Sequence, residues 1–381
     1  LRQFRYDYGA ENCLVIHLTL LPYLASSGEL KTKPTQHSVK ELLASGIQPD
    51  ILVCRSEHEV GEELKAKIAR FCNVAKEAVI ENIDAPTIYD VPFLLSKEKL
   101  DLIVLNKLGL PTTELAGLKK WKTFLNHLKN PSDEITIGLV GKYVELKDSY
   151  LSIGESLKIA ATEHELSVKI KWIHSEDINS DNVSRLFAGL DGVLVAPGFG
   201  ERGVDGKIIS VKYARENNLP FFGICLGMQV AVIEFARNVL NLPEANSTEF
   251  NAKSPDPVIS MMEEQKKVKQ LGGTMRLGEY NCELMKDSIA YRAYHKKQIQ
   301  ERHRHRYEFN SDYRKQFEDA GMKMTGINPE TQLVEIIELA NHPYFLAAQF
   351  HPEYSTTVEN PHPLFVAFTE AAYQHKLARK G

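Results

Sequence analysis

Short apolar runs alternate along the chain with stretches whose apolar residues recur every three or four positions, the pattern of strands interleaved with helices. Cys13 to Leu20 is an apolar, β-branched-rich run, and His37 to Ser45 has helical spacing that stops at Gly46. Asp50 to Cys54 reads as a buried strand, Glu62 to Phe71 as an amphipathic helix, and Ala78 to Ile83 as a further strand. Helical spacing covers Ser96 to Leu108 and Leu118 to Leu128 before Asn130-Pro131-Ser132-Asp133 breaks the chain. A second series then begins, with strands at Ile135 to Val140, Val168 to Ile173, Val193 to Ala196 and Phe221 to Ile224. Helices at Ser149 to Thr162, Gly206 to Asn217 and Met228 to Leu240 lie between and after them. Leu333 to Leu339 and Tyr344 to Phe350 flank Asn341-His342-Pro343 as a hairpin, and Pro361 to Lys376 reads as a closing helix. The polar run Met262 to Gln270 reads as a solvated loop. This alternation predicts the α/β class, with a mostly parallel sheet flanked by helices on both faces. It divides into residues 1–110, a helical linker at 111–134 and a larger domain at 135–381.

Composition narrows the class. A chain of 381 residues has room for about two or three domains, and 43% apolar with 25% charged residues excludes a disordered or collagen-like protein. Lys and Arg total 46 against 50 Asp and Glu, a net charge of -4 that argues against a nucleic-acid polymer as partner. Five cysteines without a C-x-x-C pair make neither a disulfide framework nor a structural zinc site, so a reducing, cytoplasmic setting is expected. The best membrane candidate, Cys13 to Ala25, is interrupted by His17 and Pro22 and falls short of about 20 residues. The first residues carry no secretory apolar region, and the absence of an initiator Met reads as the start of a fragment.

The sharpest local signal is Gly223-Ile224-Cys225-Leu226-Gly227, between a buried strand and a helix. It is the cysteine form of the nucleophile elbow: flanking glycines permit a sharp turn that pushes the central side chain into a cleft. The positive end of the helix dipole favours thiolate there, and the Leu226 N–H points where an oxyanion forms. The competing reading of Cys225 is a small buried hydrophobe. The second signal is His351-Pro352-Glu353 after an apolar strand; in extended chain the two side chains share a face, so Glu353 can orient the imidazole that deprotonates the thiol. Alone, an ordinary polar strand end is the commoner meaning of H-P-E. The order Cys…His-x-Glu on a parallel α/β pattern favours the chemical reading of both.

Gly198-Phe199-Gly200-Glu201-Arg202-Gly203 matches G-x-G-x-x-G, but the strand that follows ends in Gly223-Ile224-Cys225 rather than in an acidic residue, which rejects a dinucleotide site. Close approach beside the nucleophile suits these glycines better, with the Gly198 N–H as a second oxyanion donor. Lys31-Thr32-Lys33-Pro34-Thr35-Gln36, just before a helix, combines cations, hydroxyls and helix-start amides that suit a polyphosphate; a solvated loop with an ordinary cap is the alternative. No G-x-x-x-x-G-K-[ST] motif occurs. In Arg302-His303-Arg304-His305-Arg306, alternation puts the arginines on one face and the histidines on the other, and at least one Arg suits a substrate carboxylate.

G-I-C-L-G-M-Q with a downstream H-P-E resembles the class I glutamine amidotransferases. K-T-K-P-T-Q-H-S-V-K-E-L-L, G-L-V-G-K-Y-V-E-L-K-D-S-Y, N-S-T-E-F, G-G-T-M-R-L-G and R-H-R-H-R-Y-E narrow the resemblance to the CTP synthase family and cover nearly the whole chain. The resemblance implies an amidotransferase-type sheet at 135–381, preceded by part of a P-loop/Rossmann-like synthetase domain at 1–110. It further implies that Cys225 attacks the glutamine amide, with His351 as base and Glu353 as orienter, and that Gly198 and Leu226 form the oxyanion hole. Gly198, Leu226, Gln229, Glu249 and Arg306 would hold the glutamine, Glu249 on its amino group and Arg306 on its carboxylate. Lys31, Thr32, Lys33, Pro34, Thr35, Gln36 and Lys67 would bind UTP or CTP, Arg55, Ile83, Asp84 and Ala85 would face ATP, and Arg202 and Gly203 would meet the allosteric activator GTP. By the same resemblance the ammonia crosses to the other domain and aminates ATP-phosphorylated UTP, and the full-length enzyme is a homotetramer.

Two departures bear on these expectations. The family's N-terminal segment with its phosphate and Mg²⁺ site is absent, so no metal site is expected in this chain and synthesis of CTP by the chain alone is not. The usual P-G-G-F reads Ala196-Pro197-Gly198-Phe199, and proline has no N–H to donate, so the oxyanion role rests on Gly198. Two other readings compete: another class I amidotransferase of the GMP-synthesis type, which would leave K-T-K-P-T-Q without a pyrimidine nucleotide, and a non-catalytic regulatory or filament scaffold.

Overall fold

The computed structural model describes residues 1–112, 117–261 and 275–380. The expected loop at Met262 to Gln270 therefore lies outside the described residues. The chain divides into two compact units, Leu1–Lys119 and Lys120–Gly381.

The first unit is built on a three-stranded parallel sheet of β1 (Ile16–Leu21), β2 (Ile51–Ser56) and β3 (Val79–Ile83), in that order. Both faces of β2 are buried, as its unbroken apolar run requires. Leu52 and Cys54 pack with Val39 of α1 (Lys33–Ala44) and Ile68 of α2 (Glu62–Cys72). Ile51 and Val53 face the other way, towards Leu100 and Ile103. The expected helix at Ser96 to Leu108 is instead two, α3 (Val91–Lys97) and α4 (Leu100–Lys107), broken where Lys99 turns left-handed at φ 61°. A tertiary tie accompanies the break: the Glu98 carboxylate meets Lys65 at 2.6 Å and accepts the Glu81 N–H, a bond that spacing along the chain does not reveal.

All of α5 (Lys119–Lys129) but its first residue belongs to the second unit, and its Phe124 and Leu125 are buried. Its His127 Nδ1 lies 2.9 Å from the Thr162 carbonyl at the end of α6 (Leu151–Thr162). The nine-stranded sheet contains β4 (Asp133–Gly141), β5 (Leu166–His174), β6 (Gly192–Val195), β7 (Phe221–Ile224), β8 (Arg276–Leu284), β9 (Gln298–His305), β10 (Met322–Ile327), β11 (Val334–Leu339) and β12 (Phe345–Ala348). Their spatial order is β9-β8-β10-β11-β12-β7-β6-β4-β5. From β12 to β5 every pairing is parallel. From β9 to β12 every pairing is antiparallel, and β11 and β12 form the expected hairpin.

Alternate residues of β7 feed the two cores. Phe221 stacks on Phe345, on the side covered by α7 (Val204–Glu216) and α8 (Leu226–Asn238). Phe222 packs edge-on to Phe365 of α9 (Pro363–Lys380) on the other side, where it also meets Phe368. Truncating Phe368, fully buried on that face, removes transfer energy and leaves a cavity. Phe368→Ala is expected to destabilise the second unit by about 3–5 kcal/mol, seen as a lower denaturant midpoint at unchanged slope.

Candidate active site

β12, β7 and β6 are adjacent and parallel, and all three end at the sheet edge where open α/β folds gather ligands. Ala348 lies opposite Ile224 and Val195 opposite Gly223, so Gln349 to Glu353, Cys225 to Gly227 and Ala196 to Gly203 leave the sheet side by side.

Cys225 sits between β7 and α8 with φ 52° and ψ -102°, a conformation that costs a residue with a side chain. Its N–H donates to the Ala348 carbonyl at 2.8 Å, and its carbonyl accepts the N–H groups of Met228 and Gln229. The flanking glycines are sterically required: a Cβ on Gly223 would stand 2.8 Å from Ala347 Cβ, and one on Gly227 3.2 Å from the Val195 carbonyl carbon. The side chain is buried, and Gln349 donates an amide N–H towards the sulfur at 3.8 Å.

His351 and Glu353 are both buried, with Nδ1 of the ring 2.8 Å from Glu353 Oε1. The backbone route differs from the extended chain expected from H-P-E: Pro352–Tyr354 is a 3-10 turn, and it is this tightening that folds the carboxylate back onto the ring. The His351 N–H is held by the Arg302 carbonyl at 2.8 Å, and Tyr354 stacks on the ring at 5.1 Å between centroids. Burial acts to lower the pKa of His351, but the neighbouring Cys225, followed by Glu353, outweighs that and raises it to about 11.

Two buried lysines clamp the loop after β6. Lys207 donates to the Ala196 carbonyl at 2.6 Å, and Lys142 to the carbonyls of Phe199 and Gly200, each at 2.6 Å. Gly198 lies within this clamp: a Cβ there would be 3.4 Å from Leu226 Cδ2 and 3.8 Å from Lys207 Nζ. Burial, then the charge of Lys142, lowers Lys207 to about 7 against the pull of Cys225. The Gly200 N–H donates to Glu249 at 2.8 Å, and Glu249 and Arg306 both act on the Tyr307 phenol, whose pKa is raised first by burial. Gln229 donates its amide to the Tyr307 carbonyl at 3.0 Å and lies 3.4 Å from Gln349 Oε1, so that nitrogen is spent within the protein. Arg202 pairs with Glu176 at 3.1 Å and lies over the Tyr143 ring, next to Gly203, which precedes α7 at φ 73°.

The alternation read into Arg302 to Arg306 holds along β9, where Arg302 and Arg304 are exposed and His303 and His305 buried. Arg306 departs from it, because the strand ends at His305 and Arg306 lies half-buried in the turn beyond. In the first unit, α1 starts at Lys33 rather than near His37, so Lys33 to Gln36 form its first turn. The Thr35 hydroxyl is spent inside, on Thr19 and the Leu20 carbonyl, and Gln36 donates to Thr32. Lys31 pairs with Glu29, which also feels Lys67, so both cations lie near one carboxylate. Arg55 and Asp84, at the ends of β2 and β3 with Ile83 and Ala85 beside them, pair with each other at 3.2 Å.

Sequence reasoning passed over Gln349, Lys142 and Lys207. For Lys207 a signal existed: it occupies the apolar face of α7 together with Val204, Ile208 and Val211, where a cation is out of place.

A family model for class I glutamine amidotransferases matches residues 145–371, and one for the CTP synthase N-terminus matches residues 1–110. A CTP synthase of Christiangramia forsetii is 60% identical over 379 residues, covering 100% of this chain and 69% of that protein. One of Cytophaga hutchinsonii is also 60% identical, covering 100% of this chain and 70% of that protein. Among solved structures, the glutaminase domain of Trypanosoma brucei CTPS with bound acivicin matches at 36% identity and a TM-score of 0.60, covering 63% of this chain and 94% of that one.

The His351 pKa, about 11, lies above its ordinary 6.5. Its pairing therefore adds stability in full below about pH 6.5 and loses it as pH rises through about 11. Cys225→Ala removes the first of the two partners that raise it, so the imidazole followed by NMR should titrate at lower pH than in the wild type. An unmoved midpoint would show that the sulfur is not its counter-charge.

Proposed function

The chain belongs to the CTP synthase family, and on that premise we propose that it releases ammonia from glutamine through Cys225, His351 and Glu353. The Cys225 sulfur attacks the side-chain carboxamide carbon, and the oxyanion that forms faces the N–H groups of Gly198 and Leu226. The imidazolium of His351 protonates the departing nitrogen, leaving a thioester and ammonia. The same ring then takes a proton from water as the thioester is hydrolysed to glutamate. Glu353 keeps Nδ1 protonated and leaves Nε2 for the reacting groups. Gly198, Leu226 and Gln229 line the glutamine, with Glu249 suited to its amino group and Arg306 to its carboxylate. The observation that carries this reading is the imidazole: it is buried, held by Glu353 at 2.8 Å, and follows the strand that lies beside the one leading into Cys225.

The wider reaction is proposed for the protein as its family performs it: ATP activates UTP, ammonia replaces the oxygen at the 4-position of the base, GTP activates through Arg202 and Gly203, and the assembly is a cytoplasmic homotetramer. Lys31 to Gln36 with Lys67 would take UTP or CTP, and Arg55, Ile83, Asp84 and Ala85 would face ATP. The N-terminal family match over 1–110 weighs against an amidotransferase of the GMP-synthesis type. Among the described residues there is no group of three or more His, Cys, Asp or Glu that could hold a metal ion.

Glutamate release measured with and without GTP tests the first claim. Cys225→Ala should lower kcat by about 1,000-fold or more, and Glu353→Gln by about 100-fold. Equal turnover in wild type and Cys225→Ala would leave the scaffold reading in its place. For the nucleotide claim, Lys31→Ala should weaken UTP binding about tenfold by calorimetry, the loss of one charge-assisted contact. Equal affinity in the two proteins would remove Lys31 from the site.

A further inference from the structure

Behind the Cys225–His351 pair lies a second set of ionisable side chains, fully enclosed and unused by the proposed chemistry. Arg276 of β8 donates to Glu335 Oε1 of β11 at 2.7 Å and lies 3.5 Å from Glu308 Oε1. His303 Nδ1 of β9 is 2.8 Å from His305 Nε2, and His305 Nδ1 is 3.2 Å from the Tyr307 carbonyl. His303 Nε2 faces Glu335 Oε2 at 3.6 Å, and His305 Nδ1 also faces Glu308 Oε1 at 3.5 Å. His303 Nε2, Glu335 Oε2 and both Glu308 oxygens are buried without a hydrogen-bond partner. The remaining ionisable groups that face this set are Tyr280 against Arg276 and His303, Cys282, Glu301 through Cys282, and His351.

The tautomers follow from elimination. A carbonyl only accepts, so His305 must carry its proton on Nδ1 to bond Tyr307. Its Nε2 is then a lone pair, which His303 Nδ1–H fills. That leaves a lone pair on His303 Nε2 facing Glu335 Oε2, a repulsive contact unless the carboxyl carries a proton. Charge leads to the same place, since one guanidinium cannot neutralise two buried carboxylates. Burial raises both carboxyls, Glu335 to about 7, and lowers both imidazoles, His305 to about 3, so the rings stay neutral.

We infer that Arg276, Glu335, His303, His305 and Glu308 hold one shared proton, and that its residence on Glu335 keeps both rings in the Nδ1–H form that grips the Tyr307 carbonyl. These are positioning residues: through Tyr307 they fix the turn carrying Arg306, and through the Gln229 and Gln349 amides the same carbonyl is linked to the Cys225 sulfur. The role rests on the proposed reading of Arg306 as a glutamine-binding residue. The alternative state balances proton for proton. Glu335 Oε2–H passes its proton to His303 Nε2, His303 Nδ1 passes one to His305 Nε2, and His305 Nδ1 passes one to Glu308. Both rings then become Nε2–H and the bond to Tyr307 is lost.

Two carboxamide variants of equal size separate the states, read in the full chain by ¹⁵N NMR of the imidazoles and by glutaminase kinetics. Glu335→Gln offers the same donor to His303 and should keep the Nδ1–H form. Glu308→Gln removes the need for the shared proton, so Glu335 ionises, both rings flip to Nε2–H, and KM for glutamine rises about tenfold with a smaller change in kcat. Equal effects of the two variants on KM, or a Glu308→Gln protein that keeps Nδ1–H, would overturn the relay. Should either variant fail to fold, the wild type decides alone: Nε2–H rings or imidazolium at pH 7 would refute it, and neutral Nδ1–H rings support it. The tautomers are read without turnover, so loss of the glutaminase reading and loss of this one are seen separately.

Discussion

The left-handed turn at Cys225 is the constraint around which the second unit is arranged. A side chain at φ 52° and ψ -102° costs of order 1–3 kcal/mol, and such a geometry persists only where its surroundings over-determine it. Here the surroundings are the ends of three parallel strands. β12 supplies the carbonyl that holds the Cys225 N–H, β6 supplies the wall against which Gly227 packs, and α8 takes up the carbonyl. The strain aims the sulfur at the strand end that carries His351.

The same crowding buries the side chains around the turn, and in a low-dielectric setting fixed charges act strongly. Lys142 and Lys207 spend their protons on loop carbonyls, Glu353 holds an imidazole, and Arg276 is set between two carboxyls. Each of these groups would be expensive to bury alone. Together they form a shell of directed bonds around the nucleophile, which gives the loop and the turn a single arrangement before any substrate arrives.

Much of this was legible in the sequence because its signals are local. Phe221–Ile224 is a strand with the bounds its apolar run suggests, the two glycines around Cys225 announce the tight turn, and the hairpin at Asn341 to Pro343 follows from its turn residues. What spacing missed depends on tertiary partners. The helix break at Lys99 goes with the carboxylate of Glu98 reaching Lys65, and α1 begins early because Thr35 is anchored to β1. The 3-10 turn at Pro352–Tyr354 reaches the pairing of His351 and Glu353 by a path that a period of two does not describe. Gln349 and Lys142 look like ordinary polar residues until the sheet order brings their strand ends to one edge.

The clamp on the loop after β6 bears on the proline at position 197. Ala196, Phe199 and Gly200 are fastened through their oxygen atoms, by ammonium groups rooted in other elements. A loop tied in this way takes its shape from acceptors, which an imino acid retains in full. Replacing a glycine at position 197 forfeits a donor that these anchors do not use, so that one position can vary while the path of the loop through space stays put.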